Sequence, residues 1–264
     1  GLVTMPGGTL ETQADAKFNG GLSATGGEVR LMGAGLKEVG RNGADVTFWN
    51  LTVGPGQVRM YNGFRVKRVL RLEGELQYNG SALVLESDAA GTAMVVNVGS
   101  ALAPYTEMQR YIGGPNAGLG YRHFSSPMGF MAPGSLQAPG FTPVVNPAFN
   151  ATGTSVTPFP NFFAFDEARI GAAGVPGAVG FDQGWLSPAA VTTALPRGRG
   201  YTVNLAGATT VRQYGTPATG PVAVGVLSRN GTGPDAGWHL LGNPYPSPLD
   251  WSTVTAAQRP GMDA

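Results

Sequence analysis

A chain of 264 residues is long enough for one large β domain or two modest ones, each with a substantial core. Charged residues make up only 12% and hydrophobic ones 42%, with 42 glycines and 21 prolines, which excludes disorder and points to many short strands joined by tight turns. The net charge of +1 excludes a broad attractive field for nucleic acid or an anionic membrane; the lack of cysteine excludes disulfides and thiolate chemistry; and no run of 18 apolar residues is present to span a bilayer.

From about residue 20 to residue 98, short segments with apolar residues two apart alternate with Gly or Asn. Strands are predicted at Glu28–Gly33, Val46–Val53, Gln57–Tyr61, Phe64–Leu72, Glu75–Tyr78, Ala82–Glu86 and Ala93–Val96. Helical spacing is not sustained anywhere in this half. The basic cluster Arg65, Lys67, Arg68 and Arg71 lies in one of these strands, where 65, 67 and 71 share a parity and so one solvated face. Turns at Gly54-Pro55-Gly56, Asn62-Gly63, Glu73-Gly74 and Asn79-Gly80 suit the coils of a solenoid, in which stacked strands bury alternate residues. Asn-Gly also suits a two-residue hairpin, and hence an antiparallel sandwich.

Residues 113 to 194 are dominated by Gly, Pro, Ala and Phe; the cluster Phe159-Pro160-Asn161-Phe162-Phe163-Ala164-Phe165 is too apolar for an exposed loop and reads as strand. Asp182-Gln183-Gly184-Trp185 reads as a turn into a strand. Further strands are expected at Tyr201–Leu205, Thr209–Tyr214, Val222–Leu227 and Trp238–Leu241, the last two joined as an antiparallel pair through Asn230-Gly231 and Gly233-Pro234-Asp235. Beyond Gly242 three prolines in five positions end the strand and produce a stiff extended arm, clamped by Trp238, Tyr245 and Trp251.

No site of known catalytic spacing is present: the sequence holds no Gly-x-Ser-x-Gly, His-Glu-x-x-His, Walker loop or EF-type loop. Both histidines, His123 and His239, sit in strand-like apolar surroundings that favour a structural role. Asp166 and Glu167 are adjacent and so point to opposite faces of a strand, which does not suit paired-acid glycoside hydrolysis. No resident cofactor is expected, although Asp166, Glu167, Asp182 and Asp250 are candidates for a calcium ion held with turn carbonyls. Trp185, Trp238, Tyr245 and Trp251 are candidate ligand contacts, by stacking on sugar rings, or else parts of a structural corner.

Three phrases, Leu195-Pro196-Arg197-Gly198-Arg199-Gly200-Tyr201-Thr202-Val203, Tyr214-Gly215-Thr216-Pro217-Ala218-Thr219-Gly220 and the stretch from Gly237 to Trp251 containing Gly242-Asn243-Pro244-Tyr245-Pro246-Ser247-Pro248, occur in this order. Together they resemble a recurrent module of large cell-surface proteins exported by the type IX secretion route of Bacteroidota. Phe48-x-Asn50-Leu51-Thr52-Val53 and the run from Leu70 to Leu85 resemble the coils of exported adhesin stalks, and Thr106–Gly114 with Gly120–Met128 resembles the junction that follows them. The resemblance implies an all-β protein: a short right-handed β-helix (solenoid) over residues 1–104, then a jelly-roll-like β-sandwich over 105–264 that is incomplete at its C-terminus; two β-sandwiches are the alternative. It further implies a non-catalytic adhesion or scaffold protein, extracellular or on the outer cell surface. The alternatives are a carbohydrate-binding module of a larger secreted enzyme and a self-assembling fibre or surface-layer subunit. Expected partners are surface glycans or other copies of the chain, with no nucleic acid and no membrane insertion. The chain is expected to be a fragment of a longer protein, leaving open strand edges near Leu22–Met32 and Trp238–Leu241.

Overall fold

A computed structural model describes residues 1–41, 44–79, 82–98, 105–114, 120–171 and 177–262. The first strands are β1 (Val3–Met5), β2 (Thr9–Thr12), β3 (Leu22–Ala24), β4 (Glu28–Leu31), β5 (Leu36–Val39), β6 (Val46–Val53), β7 (Gln57–Met60), β8 (Phe64–Leu72), β9 (Glu75–Tyr78) and β10 (Leu83–Leu85). A small hairpin, β11 (Ser87–Asp88) with β12 (Gly91–Thr92), precedes β13 (Met94–Asn97). Apart from that hairpin, all their ladders are parallel, and they stack on three faces. One face carries β1, β3, the start of β6, the start of β8, and β10. The second carries β2, β4, the ends of β6 and β8, and β13. The third carries β5, β7 and β9, with Ala16 bridging Val39. This is a β-solenoid of about five turns, and the parallel register excludes the hairpin-based sandwich for this half.

Register explains the core. Leu22, Val46, Phe64 and Leu83 lie above one another, as do Val29, Leu51, Leu70 and Val95, and all are buried. Each such side chain contributes about 1.5–3 kcal/mol by leaving water. At the corners the coils come too close for a side chain: a Cβ on Gly74 would sit 2.2 Å from the Gly54 carbonyl oxygen of the coil before it. Where β6 turns between faces, the register slips between Phe48 and Asn50. The Asn50 amide satisfies the break, donating to the Gly27 carbonyl and accepting from the Val69 N–H. Arg68 stands at the same corner in the next coil, 4.4 Å above the Trp49 ring. The basic cluster is therefore split, with Arg65, Arg68 and Arg71 pairing with Glu86, Asp88 and Glu73.

The expected open edge at Leu22–Met32 is not found: β3 and β4 are each paired on both sides, because β1 and β2 form a coil before them. One core position holds a charge. Lys37 aligns with Val58 on the inner face, is 1% exposed, and donates from Nζ to the Gly33 and Gly35 carbonyls at 2.5 and 2.8 Å. Burial lowers its pKa. Lys37→Met keeps the length of the chain and removes a desolvated charge, so it is expected to leave thermal stability unchanged or raise it by about 1 kcal/mol, read as the shift in Tm. A fall of that size would mean that the two carbonyl contacts hold the corner.

The C-terminal part contains β14 (Thr106–Ile112), β15 (Tyr121–Phe124), a one-turn helix α1 (Phe149–Thr152), β16 (Phe162–Phe165), β17 (Trp185–Leu186), β18 (Tyr201–Asn204) and β19 (Thr209–Gly215). The first residues of β14 continue the first solenoid face in parallel with β10, and its whole length pairs antiparallel with β19. Strands β15, β18, β16 and β17 form a separate antiparallel sheet in that order. One face of this sheet, through Phe162, Tyr201 and Val203, packs on Val211 of β19 and on Met131, Leu136 and Phe141, making a second core. The predicted domain boundary between residues 104 and 105 adjoins residues 99–104, and that stretch, like Gly80 of the Asn79-Gly80 turn, lies outside the described residues. No helix among the described residues is long and apolar enough to cross a membrane.

The predicted pairing of 222–227 with 238–241 does not form. Gly225 at φ 77° interrupts the first segment and Gly237 at φ 86° turns the chain just before the second. Residues 240–242 instead meet 198–200: the Gly200 N–H donates to the Leu240 carbonyl and the Gly242 N–H to the Gly198 carbonyl. Side chains hold the outer segment, Arg199 Nη2 donating to the Val226 carbonyl and His239 Nε2 lying 2.7 Å from the Ser228 carbonyl. The proline arm is anchored differently from expectation as well. Trp238 and Trp251 are 60% and 48% exposed, and the buried clamp is made by Pro244 and Pro246. The arm is fixed by Asn243 Nδ2 donating to the Ser247 carbonyl, Ser125 Oγ to the Asn243 carbonyl and Tyr245 Oη to the Gly220 carbonyl. The Val95 N–H donates to the Pro246 carbonyl at 3.1 Å, so the arm also covers the edge of the last solenoid strand on the second face.

Candidate functional site

The face of the four-stranded sheet that points away from the second core is aromatic. Strand alternation places Tyr121 and His123 of β15, Thr202 of β18, Phe163 and Phe165 of β16 and Trp185 of β17 on it, with His123, Thr202 and Phe163 in one cross-strand row. Phe163 meets Phe149 of α1 at 5.1 Å and Tyr121 at 6.1 Å between ring centroids, and Phe165 meets Trp185 at 5.1 Å. The rings of Tyr121, Phe149, Phe159, Phe163 and Trp185 line an open cleft of about 410 Å³, of the size that small ligands occupy.

Its walls are held by side-chain bonds to backbone. Asn150, at α1, donates from Nδ2 to the Ser187 carbonyl and accepts the Ser187 N–H, tying the helix to the end of β17. Arg169 donates to the Asn150 and Gln183 carbonyls and so fixes the turn before Trp185. At the mouth stand His123, Thr154 and Asp182, all exposed. Thr202 Oγ1 is already committed to the Arg122 carbonyl. His123 and Asp182 line the same cleft, and no hydrogen bond joins them among the described residues. A floor of aromatic faces with hydrogen-bonding groups at the rim suits a ligand with a flat apolar face and a hydroxylated edge, which describes a sugar ring.

Of the four aromatic candidates from the sequence, only Trp185 lies in this cleft; Tyr245 lines a second cleft on the other side of β15, and Trp238 and Trp251 line neither. The four acidic candidates are likewise dispersed. Asp166 accepts the Ala168 N–H and Asp250 accepts the Ser252 N–H and hydroxyl, each capping a short turn. Glu167 is 1% exposed and accepts from the N–H groups of Asn230 and Gly237, the Ser228 hydroxyl and the Asn230 amide. Burial opposes its ionisation, but these donors outweigh it and hold its pKa down at about 2. Its oxygens are thus occupied by the loop 228–237. No group of three or more His, Asp or Glu side chains placed to hold a metal ion occurs among the described residues.

Sequence reading missed Tyr121, Phe149 and Phe163 as site residues, because an apolar cluster reads as core. The available signal was parity: Phe163 and Phe165 alternate with Phe162, so one of the two sets had to face away from the core. Comparison with protein-family models, curated proteins and solved structures finds no match. Fold and site together define a class: a β-solenoid closed by a β module that carries an aromatic cleft.

Proposed function

We propose that the chain is a non-catalytic, exported cell-surface protein acting in adhesion, in which the solenoid is a stalk and the aromatic cleft of the terminal module binds carbohydrate. The cleft carries this reading: Phe159 at its rim is 45% exposed and Tyr121 and Trp185 remain partly exposed above buried Phe149 and Phe163, an apolar opening that the fold leaves unfilled and that a ligand can cover. The resemblance of the Gly-Asn-Pro-Tyr-Pro-Ser arm and the two phrases before it to type IX-exported modules supports the extracellular setting. On the same reading, the terminal module is a sandwich of the four-stranded sheet against the β14–β19 pair. Quenching of intrinsic tryptophan fluorescence by a panel of neutral and acidic oligosaccharides is expected, with Trp185→Ala weakening binding about tenfold or more. Absence of binding across the panel, or binding indifferent to Trp185→Ala, would overturn the proposal.

A further inference from the structure

The second cleft, about 390 Å³, lies along the end of β14 and around β15 and is lined by Arg110, Arg122, His123, Tyr111, Asn243 and Tyr245 among others, with no carboxylate. Arg110 lies on the inward row of β14 between buried Met108 and partly buried Ile112, opposite buried Val211. It is partly buried, and that burial lowers its pKa with no neighbouring acid to restore it. Among the described residues nothing accepts a hydrogen bond from its guanidinium. Six other arginines are ion-paired, and Arg59, Arg169, Arg197, Arg199 and Arg259 donate to carbonyl or amide oxygens, so a partly buried guanidinium with no acceptor sets Arg110 apart. Arg122 is aimed by two carbonyls, those of Tyr121 and Gly114 at 3.2 and 2.6 Å, which orient its fork without neutralising it. A desolvated guanidinium without an acceptor costs stability, and an oriented second one beside it forms a fork-shaped receptor for a planar anion.

We propose that this cleft binds the carboxylate or sulfate group of an acidic saccharide whose ring lies in the aromatic cleft. The two clefts share His123, and β15 is the edge strand of its sheet, so a ligand crossing from one to the other passes over a single strand. The inference rests on the carbohydrate reading above and narrows it to uronate-bearing or sulfated glycans. The rings supply contact with the sugar, and Arg110 and Arg122 supply selection of charge.

The test is calorimetric titration with oligogalacturonates, with the same oligosaccharides after reduction of their carboxyl groups, and with sulfated oligosaccharides beside their desulfated forms, at one ionic strength. The wild-type protein is expected to bind the charged member of a pair at least about tenfold more tightly. Arg110→Gln is expected to bring the two affinities together and, because it removes an unpartnered cation, not to lower Tm. As a second measurement, the arginine Nε–H resonances of the wild-type protein are expected to shift saturably with the charged oligosaccharide and not with its neutral counterpart. Uronate and sulfate probes separate the two sources of the anion. Equal affinity within every pair, or a preference that survives both Arg110→Gln and Arg122→Gln, overturns the inference and leaves the aromatic cleft standing. Charge-dependent binding that ignores Trp185→Ala would overturn the joined site, and no binding of any probe overturns both readings.

Discussion

Phe48→Ala is expected to destabilise the solenoid by about 3–5 kcal/mol, the usual cost of deleting a fully buried ring. Phe48 is 0% exposed, aligns with Val66 of the next coil and meets Phe18 edge-on at 6.4 Å. It stands immediately before the register slip at the β6 corner, where the backbone is fixed by the Asn50 amide and is poorly placed to collapse into a void. Coils of a solenoid bear mainly on their neighbours, so the loss should be regional: amide exchange should accelerate first in β3, β6 and β8 and last in the four-stranded sheet. Urea melts and hydrogen exchange together provide the check. A loss under about 1 kcal/mol, or uniform acceleration along the chain, would show that the site relaxes or that the chain melts as one unit.

Glu167→Ala is expected to cost about 3 kcal/mol, since it strips four donors of their shared acceptor, a carboxylate that is itself 1% exposed. The wild-type residue also makes stability depend on pH. Its folded pKa of about 2 lies below the ordinary value of 4.5, so the folded state favours the carboxylate. That contribution is fully present above about pH 4.5 and is lost as pH falls through the folded value. The covering residues 228–234 are themselves exposed, which keeps solvent near and trims the contribution to about 2 kcal/mol. Melts between pH 6 and pH 2 should therefore show a drop in wild type that Glu167→Ala lacks, and protease should cut the 228–237 loop faster in the variant. Parallel pH curves for the two proteins would remove Glu167 from this role.

The strands that could be read from sequence were those whose own residues alternate. Val46–Val53, Phe64–Leu72 and Glu75–Tyr78 form with the expected bounds because each buries every second side chain for most of its length. β1 and β2 escaped notice because they are mostly exposed and owe their conformation to pairing with β3 and β4. Lys37 hid β5 by putting a charge where the pattern needed an apolar residue. The opposite error came at Val222–Leu227, where β-branched residues suggested a strand that Gly225 breaks. At the site, Trp185 was legible as an isolated aromatic beside a turn, but its neighbours come from β15, β16 and α1, distant segments whose meeting no local pattern announces. Arg110 was invisible for another reason: sequence reports a charge but not that, among the described residues, no acid of the fold comes to lie beside it.

The pairing of β14 sets an order of events for a chain that emerges from its N-terminus. Each coil needs only the one just made, Val46 finding Leu22 and Phe64 finding Val46, so the solenoid can zip up by short loop closures as the chain is delivered. The far edge of β14 is different, since Thr106 waits for Gly215 and the ladder closes only when residues 209–215 arrive. Until then the youngest rung is a bare template that another chain could extend. Because β19 runs antiparallel, its arrival also changes the direction of the ladder, so that the edge left beyond it no longer offers the parallel template on which the coils were built.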